Sequence, residues 1–224
     1  MIIAGFAPNS CVDYPKNIAA VVFLPGCNFD CWYCHNRDLI EGRFTPIDEK
    51  EVLEKIEKRK RFLDGVVITG GEPLLSPLND LKAFIGKIKD MGLLVKLDSN
   101  GTFPDKLAEL LPLVDYVAMD IKAPISQYRI VTPMREGLEE NIKKSIRLLM
   151  SSNIDYEFRT TFDPNLTKND IKEIAEMITG AKAYSLQQIN IPKGHEDKLT
   201  RSSEYLTECA EIASQYVPTK VRNI

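Results

Sequence analysis

Apolar positions along the chain recur with two different periods. Short, β-branched apolar runs at residues 18–24, 66–68, 94–97, 116–119, 156–161 and 184–191 read as strands. Between them, apolar residues return at helical spacing: Val52, Leu53 and Ile56; Leu81, Phe84, Ile85 and Ile88; Ile142, Ile146 and Leu149; Ile171, Ile174 and Ile178. A short helix over 104–111 is stopped by Pro112, and a last helix is expected over 205–216. Asp48 with Glu51 three residues on predicts a capping box, and Gly92 and Gly180 stand where helices should stop.

Six strands alternating with helices imply βαβ units around a parallel sheet. A closed eight-unit barrel takes ~250 residues, and this chain has 224. The expected fold class is therefore α/β, an incomplete (β/α)6 TIM-like barrel with parallel strands, open on one side. A doubly wound sheet stays the alternative, because periodicity does not decide closure. With no linker or low-complexity tract, residues 1–224 are expected to form a single domain.

Composition narrows the partners. The chain is 44% hydrophobic, with 29 basic against 32 acidic side chains and a net charge of −3. That balance speaks against a general nucleic-acid or membrane-surface binder. No apolar run approaches the ~20 residues of a membrane span, and the start lacks the features of a secretory signal. A cytoplasmic protein is expected. Five cysteines, three of them within eight residues, do not resemble a secreted disulfide framework.

Those three form the strongest chemical signal: Gly26-Cys27-Asn28-Phe29-Asp30-Cys31-Trp32-Tyr33-Cys34-His35-Asn36, a C-x3-C-x2-C pattern directly after the first predicted strand. A [4Fe–4S] cluster ordinarily takes four thiolates, so three leave one iron open to a non-protein ligand. The competing reading is a zinc knuckle, whose fourth ligand would be Cys11, His35 or Cys209, none at the usual spacing. Trp32 and Tyr33 read as packing residues unless a cluster or a bound base lies beside them.

The pattern, with an aromatic before its third cysteine, resembles the radical S-adenosylmethionine (SAM) superfamily. The resemblance implies that SAM chelates the open iron and that one-electron reduction cleaves it to methionine and a 5′-deoxyadenosyl radical. Thr69-Gly70-Gly71-Glu72-Pro73 resembles the family's GGE element, which receives the SAM amino group. Two glycines let backbone approach a ligand closely, and a carboxylate accepts from an ammonium; in isolation the same residues read as an ordinary turn. Asp98-Ser99-Asn100-Gly101 and Asp120-Ile121-Lys122 match SAM-contacting segments of glycyl-radical-enzyme activases. Asp120 and Lys122 also read as an exposed salt bridge, and Asp98, Ser99 and Asp120 form an oxygen-rich setting suited to a monovalent cation. Arg159 is expected to anchor a carboxylate or ribose. The resemblance thus implies Cys27, Cys31 and Cys34 as cluster ligands and Tyr33, Gly70, Gly71, Glu72, Asp98, Ser99, Asn100, Asp120, Lys122 and Arg159 around SAM.

Cys31-Trp32-Tyr33-Cys34-His35-Asn36-Arg37-Asp38 is similar to the same activases, and Val12-Asp13-Tyr14-Pro15-Lys16 with Ala19-Ala20-Val21-Val22-Phe23 resembles the opening of anaerobic ribonucleoside-triphosphate reductase activating proteins. The resemblance spans residues 8–194 or so. It implies a partner glycyl radical enzyme, an anaerobic (class III) ribonucleotide reductase, and flavodoxin or ferredoxin as electron donor. An incomplete barrel has a lateral gap, so a macromolecular substrate would supply the wall that keeps water out. Two alternatives stay open: a small-substrate member such as a 7-carboxy-7-deazaguanine synthase, and a non-catalytic metal-binding interaction module. Cys11 and Cys209 are expected as small buried hydrophobes, Gln187 and Gln188 either reach the site or serve as structural hydrogen-bonders, and His195 has no assigned role.

Overall fold

The computed structural model describes residues 1–133, 136–195 and 197–222. The chain divides into two compact units, Met1–Asn28 with Asn36–Ser99 and Phe103–Val117, and Phe29–His35 with Asn100–Thr102 and Ala118–Ile224.

In the first unit, β1 (Gly5–Tyr14) runs antiparallel to β2 (Asn17–Leu24), and β3 (Gly65–Gly70) and β4 (Leu94–Ser99) follow in parallel. Val66, Val67 and Ile68 are all fully buried. This is why the strand reads as a continuous apolar run and not as an alternation: a parallel strand has both faces covered. The unit's helices are α1 (Arg37–Ile40), α2 (Glu49–Arg59), α3 (Leu78–Asp90) and α4 (Pro104–Leu110). Helix α3 buries Leu81, Phe84, Ile85 and Ile88, the stripe expected of it, and stops at Gly92, whose φ of +80° only glycine adopts easily.

Strand β5 (Tyr116–Asp120) leads into the second unit, which holds α5 (Tyr128–Val131), α6 (Leu138–Met150), β6 (Asp155–Phe162), α7 (Lys168–Met177), β7 (Tyr184–Gln188), α8 (Ser203–Ala213) and β8 (Thr219–Arg222). Strands β6, β7 and β8 pair in parallel. The strand order follows the chain from β1 to β8. A doubly wound sheet would reverse its order at a switch point, so the winding is that of a β/α barrel.

Several expectations change. Among the described residues, eight strands are present where six were expected. Strand β1 escapes the apolar pattern because most of its residues are exposed or half-buried and its register shifts twice against β2. Strand β8 is four residues long, and β7 ends at Gln188, before residue 191. Asp48 caps α2 by accepting from Lys50 N at 2.7 Å, without a capping box; Glu51 pairs forward with Lys55 at 2.6 Å. The reciprocal box forms at α7 instead, between Thr167 and Asp170. Cys209 is buried as expected, but Cys11 is exposed on β1.

Candidate functional site

The loop carrying the cysteines leaves β2 at Leu24 and turns at Gly26 (φ +79°), whose N–H donates to Leu39 O at 3.0 Å. The Gly-Gly-Glu segment leaving β3 lies directly against this turn. Gly71 N donates to Leu24 O at 2.9 Å, and Glu72 N to Gly26 O at 2.7 Å. A Cβ at Gly70 would stand 2.3 Å from Leu24 O, and one at Gly71 only 1.8 Å from Gly26 O. The glycines therefore let this backbone approach the start of the cysteine loop, a structural duty that the reading of close ligand approach left out. Asn36 Nδ2 donates to Gly70 O at 2.8 Å and ties the loop's far end to the same segment.

Glu72 is fully buried, and its Oε1 accepts from Leu74 N and from Ser99 Oγ, each at 3.0 Å. The expected residues Glu72 and Ser99 are thus brought together. Asp98, two residues before Asn100, accepts from Lys96 Nζ at 2.6 Å, and that lysine is itself only 1% exposed. Lys96 went unrecognised; its signal was a charged residue two positions from Asp98 on one strand face.

In the second unit, Cys34 N donates to Cys31 O at 3.1 Å and closes a turn over the remaining two thiols. Cys31 is buried, and its Sγ lies 3.0 Å from Thr132 Oγ1. Trp32 Nε1 donates to Asp163 Oδ2 at 2.6 Å, with the His195 ring edge-on at 5.6 Å and Lys198 over the indole. Asp163, His195 and Thr132 were not foreseen as neighbours of the loop. His35 Nε2 donates to Asn190 O at 2.9 Å. Tyr33 is buried beneath Lys122 Nζ, which lies 5.9 Å from its ring centre, and its hydroxyl has no hydrogen-bond partner among the described residues.

Past the end of β5, Lys122 Nζ donates to Asp120 Oδ2 at 2.8 Å, and Arg159 Nε of β6 donates to Asp120 Oδ1 at 2.9 Å. The exposed salt bridge is excluded, since Lys122 is buried. Burial alone would raise the Asp120 pKa, but the Arg159 and Lys122 cations outweigh it and bring it down to about 2. For Lys122, burial is likewise overcome, by Asp120, Tyr33 and Cys31, and its pKa rises; burial pushes the Tyr33 phenol up, helped by Cys31 and opposed by Lys122. Because the folded pKa of Asp120 is depressed, its stabilisation is fully present above the unfolded value near 4 and is lost as pH falls toward 2. Asp120→Asn should therefore lower stability at pH 7 by roughly 2 kcal/mol. The same substitution should change little below pH 2, as thermal denaturation across that range would show.

Asn100 Oδ1 accepts from the N–H and hydroxyl of Thr102, at 3.1 and 2.7 Å, and so shapes the turn after β4. Gln188 Nε2 donates to Arg201 O at 2.7 Å, a structural hydrogen bond. Among the described residues, no three His, Cys, Asp or Glu side chains converge as a single-ion site. All five cysteines are thiols. Three thiols on one loop, a buried phenol whose hydroxyl has no hydrogen-bond partner among the described residues, and a buried cation beside it fit a cluster with a charged organic ligand.

A singly wound, mostly parallel sheet with three thiols on the loop after its first parallel strand is the arrangement of an iron–sulfur enzyme of the β/α-barrel class. More narrowly, the chain belongs to the radical SAM superfamily, whose family pattern matches residues 21–178. A Methanocaldococcus jannaschii protein provisionally named a glycyl-radical enzyme activating enzyme is 34% identical over 98% of this chain and 95% of its own length. A 7-carboxy-7-deazaguanine synthase of Methanopyrus kandleri is 33% identical over 47% of this chain and 49% of its own. Among solved structures, a domain of a pyruvate-formate lyase-activating enzyme from Bacteroides vulgatus superimposes with a TM-score of 0.59 at 20% identity, covering 71% of this chain and 99% of that domain. The shared fold is the incomplete β/α barrel, and the family's cofactors are a [4Fe–4S] cluster and SAM. Among the described residues, no helix is long and apolar enough to cross a membrane.

Proposed function

We propose that this chain, working as one radical SAM domain, is an activase that abstracts a hydrogen atom from a backbone glycine of a partner glycyl radical enzyme, an anaerobic ribonucleotide reductase. The observation that carries the reading is the cysteine loop seated on the Gly-Gly-Glu segment, in a chain that matches an activating-enzyme relative end to end. When bound, the cluster and SAM supply a 5′-deoxyadenosyl radical by one-electron reduction.

The chain's own residues hold and orient. Cys27, Cys31 and Cys34 would hold the cluster. Glu72, fixed by Leu74 N and Ser99, accepts from the SAM ammonium; Gly70 and Gly71 set the backbone on which it stands. Lys122, pinned by Asp120 and kept protonated, would pair with the SAM carboxylate, and Asp120, itself held by Arg159, keeps that lysine in place. Tyr33 offers its hydroxyl to SAM, and Asp98 and Asn100 frame the turn after β4. Flavodoxin or ferredoxin delivers the electron.

Glu72→Gln keeps an acceptor for Leu74 and Ser99 but removes the charge. It should leave the iron content unchanged and weaken SAM binding about tenfold, which corresponds to ~1.4 kcal/mol. Isothermal titration of the reconstituted variant reads this, and unchanged affinity would remove Glu72 from the site. The function itself is tested without air, by reconstituting the protein, adding dithionite and SAM, quantifying 5′-deoxyadenosine, and recording paramagnetic resonance spectra of candidate partner enzymes. A glycyl radical on the anaerobic reductase is the expected result. The half-length likeness to 7-carboxy-7-deazaguanine synthase supports a second reading; turnover of that synthase's substrate, with no radical on any partner, would establish it.

A further inference from the structure

At the end of the sheet opposite the cysteine loop, the chain carries a surface that the reaction does not use. Residues Lys58, Arg59, Lys60 and Arg61 are four consecutive exposed cations in a protein of net charge −3, and Phe62 follows them with 74% of its surface in solvent. The C-terminus of α2 explains part of this, because the helix dipole favours basic residues in the last turn, here Lys58 and Arg59. It does not explain Lys60, Arg61 or an exposed phenylalanine. Arg59 donates to Asn9 Oδ1 at 3.2 Å, and Lys60 pairs with Glu57 at 2.5 Å. Lys58 and Arg61 have no ion-pair partner among the described residues.

Phe62 is not an isolated exposed residue. Asp64, two positions on, accepts from Ile18 N at 2.8 Å through its side chain and from Leu94 N at 3.0 Å through its carbonyl. Ile18 and Leu94 are also exposed, at 42% and 37%. The starts of β2 and β4 thus bring the exposed Ile18 and Leu94 to Asp64, two residues past the exposed Phe62 that follows the four cations. A merely solvated charge run needs no apolar neighbours, whereas a docking surface combines an apolar anchor with a charged rim.

We infer that this surface docks an acidic segment, with an apolar anchor of its own, on the enzyme that this chain activates; the inference rests on the activase reading above. Two arguments choose that occupant. The charge calls for an acidic partner. The six residues of β3 separate the patch from the cysteine loop by roughly 20 Å, too far for an electron donor seated here to serve the cluster well. A substrate protein is not so limited. A second contact away from the reacting glycine raises the effective concentration of the glycine segment at the site. Nucleic acid is disfavoured by the negative charge of the chain as a whole.

The test uses the reconstituted full chain and the glycyl radical enzyme that it activates, following radical formation by paramagnetic resonance against partner concentration. The double substitution Lys58→Glu, Arg61→Glu should raise the half-saturating partner concentration about tenfold while leaving the rate at saturation unchanged. Added salt should bring the unsubstituted protein toward the variant. Phe62→Ser should raise the same concentration in a way that salt does not alter. Both sites are exposed, and matching thermal transitions would establish that the variants fold. Saturation curves that coincide for all three proteins would overturn the inference while leaving the activase reading intact. Tighter binding of a DNA duplex than of the partner, lost in the double variant, would overturn it in favour of a nucleic-acid surface. If the unsubstituted protein places a radical on no partner, the functional reading fails and takes the inference with it.

Discussion

Cys31→Ala should lose its iron and all measurable formation of 5′-deoxyadenosine while keeping the fold. Replacing partners outside the ligand set of a metal centre costs about 10–100-fold, and removal of a ligand that is itself one of only three should exceed that. Cys31 is the strongest of the three tests because it is the buried one, fixed between the Cys34 turn and Thr132. Cys27→Ala and Cys34→Ala should behave alike, whereas Cys11→Ala, at an exposed position on β1, should load iron and cleave SAM normally. Iron analysis and product quantification on the same preparations check this. Retained cleavage in any of the three loop variants would contradict the ligand assignment. A loss in Cys11→Ala would reopen the question of a fourth protein ligand.

Gly71→Ala should be nearly as damaging, for a different reason. The added methyl would stand 1.8 Å from Gly26 O and 2.6 Å from Gly26 C, both backbone atoms with no rotamer to escape into. The turn before Cys27 must then move. Overpacking of this kind costs roughly 3 kcal/mol, which for a chain of this size lowers the melting temperature by about 6–12 °C. The hydrogen bonds from Gly71 N to Leu24 O and from Glu72 N to Gly26 O would be disturbed together, so cluster loading should fall with stability. Gly86, within α3, provides the contrast: an added methyl meets nothing within 4 Å. Gly86→Ala should raise stability by about 0.5–1 kcal/mol. Calorimetry on the two variants, with iron per chain measured in parallel, separates the effects. A Gly71→Ala protein that melts and loads iron normally would show that the segment is not what seats the cysteine loop.

The pairing of Asp120 with Lys122 was legible in the chain because residues two positions apart lie on the same side of an extended backbone. Lys96 and Asp98 obey the same rule, but in a strand otherwise read only for its apolar residues. What held Asp120 from the other side was not legible. Arg159 lies 39 positions away, and only the neighbourhood of β5 and β6 brings it within 2.9 Å. The Trp32–Asp163 bond spans 131 positions, and the Cys31–Thr132 contact 101. Strand β1 was missed because its side chains carry so little of the burial that marks a strand.

By itself, the sequence determined whatever depends on near neighbours along the chain. The strand and helix periods, the three-cysteine spacing, the glycine–carboxylate segment and the same-face charge pairs all follow from local backbone geometry and side-chain chemistry. Tertiary structure alone decided which distant groups meet. It set Gly71 against Gly26, turned the glycines into seats for the cysteine loop, placed Arg159 on Asp120, and left Phe62, Ile18 and Leu94 exposed. The physical reason is that a dihedral preference acts over one or two residues, whereas steric exclusion, ion pairing and burial depend only on distance in space. The chain closes that distance only when its strands align.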